Sequence, residues 1–174
     1  RNGGKIFKHQ TAVSLERKGG IYEVSTKEGK IFKTERVILA TGEGDIRPEL
    51  KKLTKRMRTF VLAYGKKKVP EPFRSAVLWD VLEPYHYIRT FRDRMIWVGG
   101  EDIEDKDYNP KKDYYAPLKQ YAKEFLGFGQ DYKFSFNWTG TFYNTPLGLP
   151  YIDKLPDEEI YVNFGFGGTG ILTS

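Results

Sequence analysis

Two stretches of this chain carry residue types and spacings that can do chemistry. Near its end, Glu159-Ile160-Tyr161-Val162-Asn163-Phe164 runs into Gly165-Phe166-Gly167-Gly168-Thr169-Gly170-Ile171, where Gly165, Gly167 and Gly170 fit a G-x-G-x-x-G spacing. Glycines so placed let a backbone come close to a ligand, and a helix starting there points its free N–H groups at anionic or carbonyl oxygens. A dinucleotide fingerprint also needs a following helix, a second strand and an acidic residue about 20 residues on. The sequence reaches only Ser174, so the turn reads as the closing piece of a site whose other parts lie earlier or outside it. In the second stretch, Tyr85 to Thr90, strand alternation puts Tyr85, Tyr87 and Arg89 on one face and His86 and Ile88 on the other. That face is either a shared pocket wall or ordinary surface. His86 reads as a structural or exposed histidine, not a catalytic base.

Composition removes several alternatives. There is no cysteine among the 174 residues, which excludes a disulfide framework, a thiolate metal site and thiol catalysis. Two histidines, His9 and His86, are too few for a histidine-based metal centre, so no metal is expected. No G-x-S-x-G elbow supports a serine hydrolase. No apolar run approaches a membrane-spanning length, and Arg1-Asn2-Gly3-Gly4 opens no signal peptide and reads as a cut end. A cytoplasmic setting is the default expectation. The net charge of +6 gathers in Lys51-Lys52, Lys55-Arg56, Arg58 and Lys66-Lys67-Lys68, which reads as a solvated surface.

The elements that must position these residues follow from periodicity. Thr11–Glu16 and Ile21–Thr26 alternate, with Lys18-Gly19-Gly20 and Glu28-Gly29-Lys30 as turns and Ile31–Thr34 leading out: a small antiparallel meander. Val37-Ile38-Leu39-Ala40 is apolar throughout and predicts a strand buried on both faces, as in a parallel sheet, ending in small residues at Thr41-Gly42. The span 49–58 reads as short, basic and helical or irregular. Strands are expected over Thr59–Tyr64 and Ala76–Asp80, then a hairpin of Tyr85–Thr90 and Met95–Gly100 across Arg92-Asp93-Arg94. Residues 101–113 read as a charged loop. Leu118, Tyr121, Ala122 and Phe125 make one face of a helix over 115–125. Tyr132–Trp138 alternates as a half-buried strand, and Thr145–Ile152 is a Gly- and Pro-rich loop.

Taken in order, V-I-L-A-T-G (Val37–Gly42), Y-x-R-T (Tyr87–Thr90), I-W-V-G-G-E-D (Ile96–Asp102), W-T-G-T-F (Trp138–Phe142), T-P-L-G-L-P-Y-I (Thr145–Ile152) and I-Y-V-N-F-G-F-G-G-T-G-I (Ile160–Ile171) form a series. It resembles the D-amino-acid oxidase, glycine oxidase and sarcosine oxidase superfamily of FAD-dependent oxidoreductases, from about Val13 onward. The resemblance implies an α+β or α/β fold: the C-terminal part of an FAD/NAD(P)-binding domain with an inserted antiparallel-sheet substrate domain. The N-terminal pyrophosphate-binding βαβ unit has no counterpart in residues 1–40. The implied division is 1–43 for the tail of the FAD-binding domain, 44–137 for the substrate domain and 138–174 for the return segment.

The resemblance further implies a site. Ala40, Thr41 and Gly42 would lie near the FAD, Trp138 and Gly140 would frame the flavin, and Gly148, Leu149 and Pro150 would pass beside the isoalloxazine. Gly167, Gly168, Thr169 and Gly170 would set a helix N-terminus against the flavin pyrimidine, favouring negative charge on its reduced form. Arg89 or Arg74 would hold a substrate carboxylate, because a guanidinium fork matches it, with Tyr85 and Tyr87 beside it. No catalytic side chain is assigned. The expected reaction is oxidation of an amino acid or related amine by hydride transfer to flavin. The expected partners are that small molecule and the missing N-terminal FAD-binding segment, without nucleic acid. Rival readings are a 2-hydroxy acid or glycerol phosphate as substrate, a basic aromatic-rich nucleic-acid-binding module, and a fold that has lost its cofactor.

Overall fold

The computed structural model describes residues 3–42, 47–65, 69, 71, 73–124, 126–129 and 132–170, and the side chain of Thr169 is outside that description. The chain forms two compact units, one of residues 1–55 and 143–174, the other of residues 56–142. Both boundaries lie downstream of the 43/44 and 137/138 divisions read from the sequence.

In the first unit, β1 (Ala12–Lys18), β2 (Ile21–Thr26) and β3 (Ile31–Thr34) form the expected antiparallel meander. Glycine at +56° and +86° in Gly19-Gly20 makes the first turn possible. After β3, the short strand β4 (Val37–Leu39) leaves the meander for a second sheet. In the second unit come β5 (Lys55–Gly65), β6 (Leu78–Trp79), β7 (His86–Phe91), β8 (Met95–Glu104), the helix α1 (Ala116–Glu124) and β9, which runs Lys133–Asn144 and leads back to the first unit. The chain then adds β10 (Tyr151–Lys154) and β11 (Ile160–Phe164).

The second sheet of the first unit has the order β10-β11-β4. β4 lies parallel to β11, with Leu39 opposite Val162, and β10 is antiparallel, with Tyr151 opposite Phe164. Leu39, Ile160, Val162 and Phe164 turn inward to a core with Tyr22 and Leu50. The Tyr22 hydroxyl accepts the Glu159 backbone N–H at 3.0 Å and so ties the meander to this sheet. The outward residues correct one expectation. Ile38 is 72% exposed, so β4 is covered on one face and not on both.

The second unit is a sheet of order β6-β7-β8-β5-β9. Its even-numbered core side chains, Phe60, Leu62, Ile88, Ile96 and Val98, pack against Leu118 and Ala122 of α1. Full burial of each such side chain stabilises by roughly 1.5–3 kcal/mol. Two further expectations are corrected here. Strand β5 begins at Lys55, directly after a 3₁₀ turn at Pro48–Leu53, and not at Thr59. Strand β8 continues to Glu104, into the span 101–113 that the charges mark as a loop. The charges are compatible with a strand because a bulge redirects them. Arg58 pairs with Ile103 and Phe60 with Gly100, so the single residue Thr59 faces the two residues Glu101 and Asp102. Glu101 has φ +54°, the left-handed conformation that such a bulge needs.

Candidate functional site

The cofactor residues expected from the sequence fall into two groups. Three of the segments meet. Because β4 and β11 run parallel, Ala40-Thr41-Gly42 and the turn from Gly165 leave the sheet at the same end. Because β10 runs the other way, Gly148-Leu149-Pro150 enters at that end too. The carboxyl ends of parallel strands, with irregular backbone around them, are where ligands bind in open α/β sheets.

Local packing explains the glycines there. Gly165 has φ +77°, and a Cβ on it would sit 2.6 Å from Thr145 Cγ2. Gly167 has φ +59°, and its Cβ would meet Asn144 Oδ1 at 2.8 Å. Buried Thr145 donates from its hydroxyl to the Leu149 carbonyl at 2.7 Å. The glycine turn therefore presses onto the loop that carries Gly148 and Leu149. Among the described residues the segment after Gly165 is one 3₁₀ turn, Gly167–Thr169. Trp138 and Gly140 belong to β9 in the other unit.

The substrate candidates lie on the face of the five-stranded sheet opposite α1, an aromatic face. Tyr87 pairs with Gly99 and Arg89 with Trp97. The Tyr87 ring lies directly on Gly99, where a Cβ would be 2.2 Å from its Cζ. Arg89 places its guanidinium carbon 5.3 Å from the Trp97 ring centre. Trp97 in turn stacks on Phe91 and meets Trp138 edge-on, both at 5.2 Å. Tyr85 stands 6.4 Å from Tyr87, ring to ring. Its hydroxyl donates to Asp102 Oδ2 at 2.8 Å. Arg74 is elsewhere, on an exposed turn, bonded to Glu71 at 2.8 Å.

The sequence reading missed Asp102, Thr59, Gly99 and Gly100. Burial pushes the Asp102 carboxyl above the usual carboxylate range. Burial also raises the Tyr85 hydroxyl, reinforced by Asp102, and the Tyr87 hydroxyl. The Thr59 and Tyr85 hydroxyls act against the rise at Asp102 as hydrogen-bond partners of its carboxyl. The signal for this cluster was the Gly99-Gly100 pair, since glycine inside a strand marks a bulge or a close backbone approach.

On the helix face the same bulge does the reverse. His86 is buried, stacked on Tyr121 at 3.9 Å, with Nδ1 2.9 Å from Asp80 Oδ2 and Nε2 3.1 Å from Glu101 Oε1. Burial works to raise the Asp80 carboxyl, and the His86 backbone N–H and ring outweigh it, holding the carboxyl below its usual range. The Tyr121 hydroxyl is pushed up to about 12 by burial and by its bond to Asp80. His86 is thus a fully partnered structural residue.

Two of the clustered basic residues are held by an acid. Arg56 and Arg58 both pair with Asp105, at 3.2 and 2.5 Å, and Arg58 lies over Tyr108. Lys66-Lys67-Lys68 lies outside the described residues. Among the described residues no group of acidic, His or Cys side chains could hold a metal ion, and no helix is long and apolar enough to cross a membrane.

A family model described as FAD dependent oxidoreductase (DAO) matches residues 1–174. No curated protein matches. Among solved structures, L-proline dehydrogenase from P. horikoshii superposes with a TM-score of 0.80 at 16% identity, over 98% of this chain and 48% of that one. Glycine oxidase from Geobacillus kaustophilus gives 0.77 at 16%, over 96% and 45%. Amadoriase I, a fructosyl amine: oxygen oxidoreductase from Aspergillus fumigatus, gives 0.70 at 18%, over 94% and 42%. The likeness at these identities is one of fold. The chain spans about half the length of each of these proteins.

Proposed function

The chain belongs to the FAD dependent oxidoreductase family, and from that premise we propose that it is the C-terminal part of an enzyme that oxidises an amino acid or related amine. The observation that carries this reading is the meeting of three glycine-containing segments at one end of the β10-β11-β4 sheet. Gly165 and Gly167, packed against Thr145 and Asn144, hold the turn's backbone at that end of the sheet, where a ligand could be approached by main chain. FAD, when bound, supplies the acceptor for the two electrons removed from the C–N bond. Ala40 to Gly42, Gly148 to Pro150 and Gly167 to Gly170, all in the first unit, would hold it. Arg89 and Tyr87 would orient the substrate, the guanidinium taking a carboxylate. The names of the similar structures, which act on proline, glycine and a fructosyl amine, favour an amine over a hydroxy acid or glycerol phosphate.

The outward face of the β10-β11-β4 sheet supports the incomplete FAD domain. It presents Ile38, Ile152 and Tyr161, all exposed, and Asn163, whose buried Oδ1 has no partner. Apolar residues around an unsatisfied acceptor suit a face that another segment covers. An N-terminal βαβ unit carrying the pyrophosphate turn would supply that cover. The test is the visible spectrum of the full-length parent beside this chain alone. The parent carries FAD, the isolated chain does not take it up, and Gly167→Leu in the parent lowers flavin content at least several-fold. A colourless parent, or full flavin content in the Gly167 variant, would sink the reading.

A further inference from the structure

Tyr85 stands just before the ladder that holds its neighbours. The register of β7 with β8 begins at His86 opposite Gly100, so Tyr85 lies outside it. Two residues of β8 hold the tyrosine instead. Gly100, at φ +140°, lets the chains close up, and a Cβ there would be 2.2 Å from the Tyr85 carbonyl oxygen. Asp102 accepts the Tyr85 hydroxyl proton at 2.8 Å. The bulge places Asp102 opposite Thr59, whose hydroxyl is a second partner of its carboxyl. Tyr85 remains 38% exposed, within reach of a molecule lying on the aromatic face. The direction of its hydrogen bond decides what it can do there. A carboxylate only accepts, and a phenol has one proton to give. Burial, reinforced by Asp102, holds the hydroxyl above its ordinary value, so it keeps that proton at neutral pH. With the proton committed to Asp102, the phenol oxygen has lone pairs left and nothing to donate. Donation to a charged acceptor also makes that oxygen a better acceptor. Arg89, farther along β7, is the converse, with donors only.

We propose that Asp102 is a positioning residue that turns the Tyr85 proton inward, so that Tyr85 accepts a hydrogen bond from the N–H of an amine substrate. This rests on the amine-oxidising reading and deepens it. The substrate class is a primary or secondary amine, and any carboxylate it carries is left to Arg89. Asp102 itself touches no substrate and acts through the tyrosine.

The test is calorimetric binding of hexylamine and hexanoate to the full-length flavoprotein. Tyr85→Phe should weaken hexylamine about fivefold or more, leaving hexanoate and flavin content unchanged. Asp102→Ala frees the Tyr85 proton to turn outward and should weaken hexylamine to the same degree. The double variant should lose no more than either single one, because the two residues act as one unit. Asp102→Asn, whose amide carbonyl still accepts the Tyr85 proton, should stay within about twofold of wild type. Should Asp102→Ala not accumulate, the contrast between Tyr85→Phe and Asp102→Asn decides. No binding of hexylamine to wild type, unchanged binding in Tyr85→Phe, additive losses in the double variant, or a loss in Asp102→Asn as large as in Tyr85→Phe would overturn the role. Hexylamine binding that follows these variants, with no amine reducing the flavin, would instead overturn the oxidation reading. Flavin reduction by amines that neither Tyr85→Phe nor Asp102→Ala alters would leave oxidation standing and remove the role of Asp102.

Discussion

The two faces of the five-stranded sheet receive neighbouring acids from one bulge and treat them differently. Glu101 turns toward α1, where His86 already faces Asp80 and Tyr121 lies flat on the imidazole. Both ring nitrogens of His86 face a carboxylate, so this cluster is a structural one. Asp102 turns the other way, toward Tyr85, Tyr87 and Thr59, where burial raises its carboxyl against the hydroxyls of Thr59 and Tyr85. The histidine–carboxylate cluster looks catalytic by residue type, and its partners make it structural.

The comparison can be broken at several points. Leu118 is fully buried where α1 meets the sheet. Leu118→Ala should cost about 3–4 kcal/mol in urea denaturation, the largest effect here. A loss below about 1 kcal/mol would mean that the helix face is not the core of this unit. His86→Ala should cost about 2–3 kcal/mol, because Asp80 and Glu101 lose their shared partner and Tyr121 its stacking surface. Stability near wild type would show that the two carboxylates are satisfied otherwise.

Asp102→Asn should act in the opposite direction. Its folded carboxyl is raised, so the folded chain takes up this proton more readily than the unfolded chain does. The ionised group therefore costs stability at neutral pH, and the cost disappears as pH falls through the raised value. The variant should be more stable than wild type at pH 7 by up to about 1 kcal/mol, with the gain shrinking on acidification. Thermal melts against pH check this, and a loss of stability at pH 7 would make Asp102 a structural residue like Glu101.

The smallest effect belongs to Glu23 in the meander, held down to about 2 by Lys18 and then Lys33. Its contribution is present above the ordinary carboxylate value and lost as pH falls toward about 2. Because the group is on the surface, Glu23→Gln should shift the melting temperature only slightly, and high salt should erase the difference.

Much of this was legible in the sequence. Alternation in Tyr85 to Arg89 put three side chains on one face, and the structure has the register that the alternation requires. The apolar run at Val37 announced a parallel strand, and it pairs parallel to β11. What escaped reading depended on non-local geometry. The charged run Glu101 to Glu104 looks like a loop, since only the pairing with β5 reveals a bulge that sends alternate acids to opposite faces. Ile38 looks like core, because sequence shows how apolar a strand is but not which segment covers it. The glycine pair at 99–100 was the one local clue to the Asp102 cluster. The room it makes for the Tyr87 ring depends on a cross-strand contact.

The central claim is that this chain completes a flavin site that oxidises amines. Anaerobic spectra of the full-length flavoprotein, recorded while 6-aminohexanoate, L-proline, glycine, a 2-hydroxy acid or glycerol phosphate is added, test it most directly. Bleaching of the oxidised flavin band by one or more of the amines and by neither of the others is the predicted result. Bleaching by the hydroxy acid or glycerol phosphate alone would contradict it.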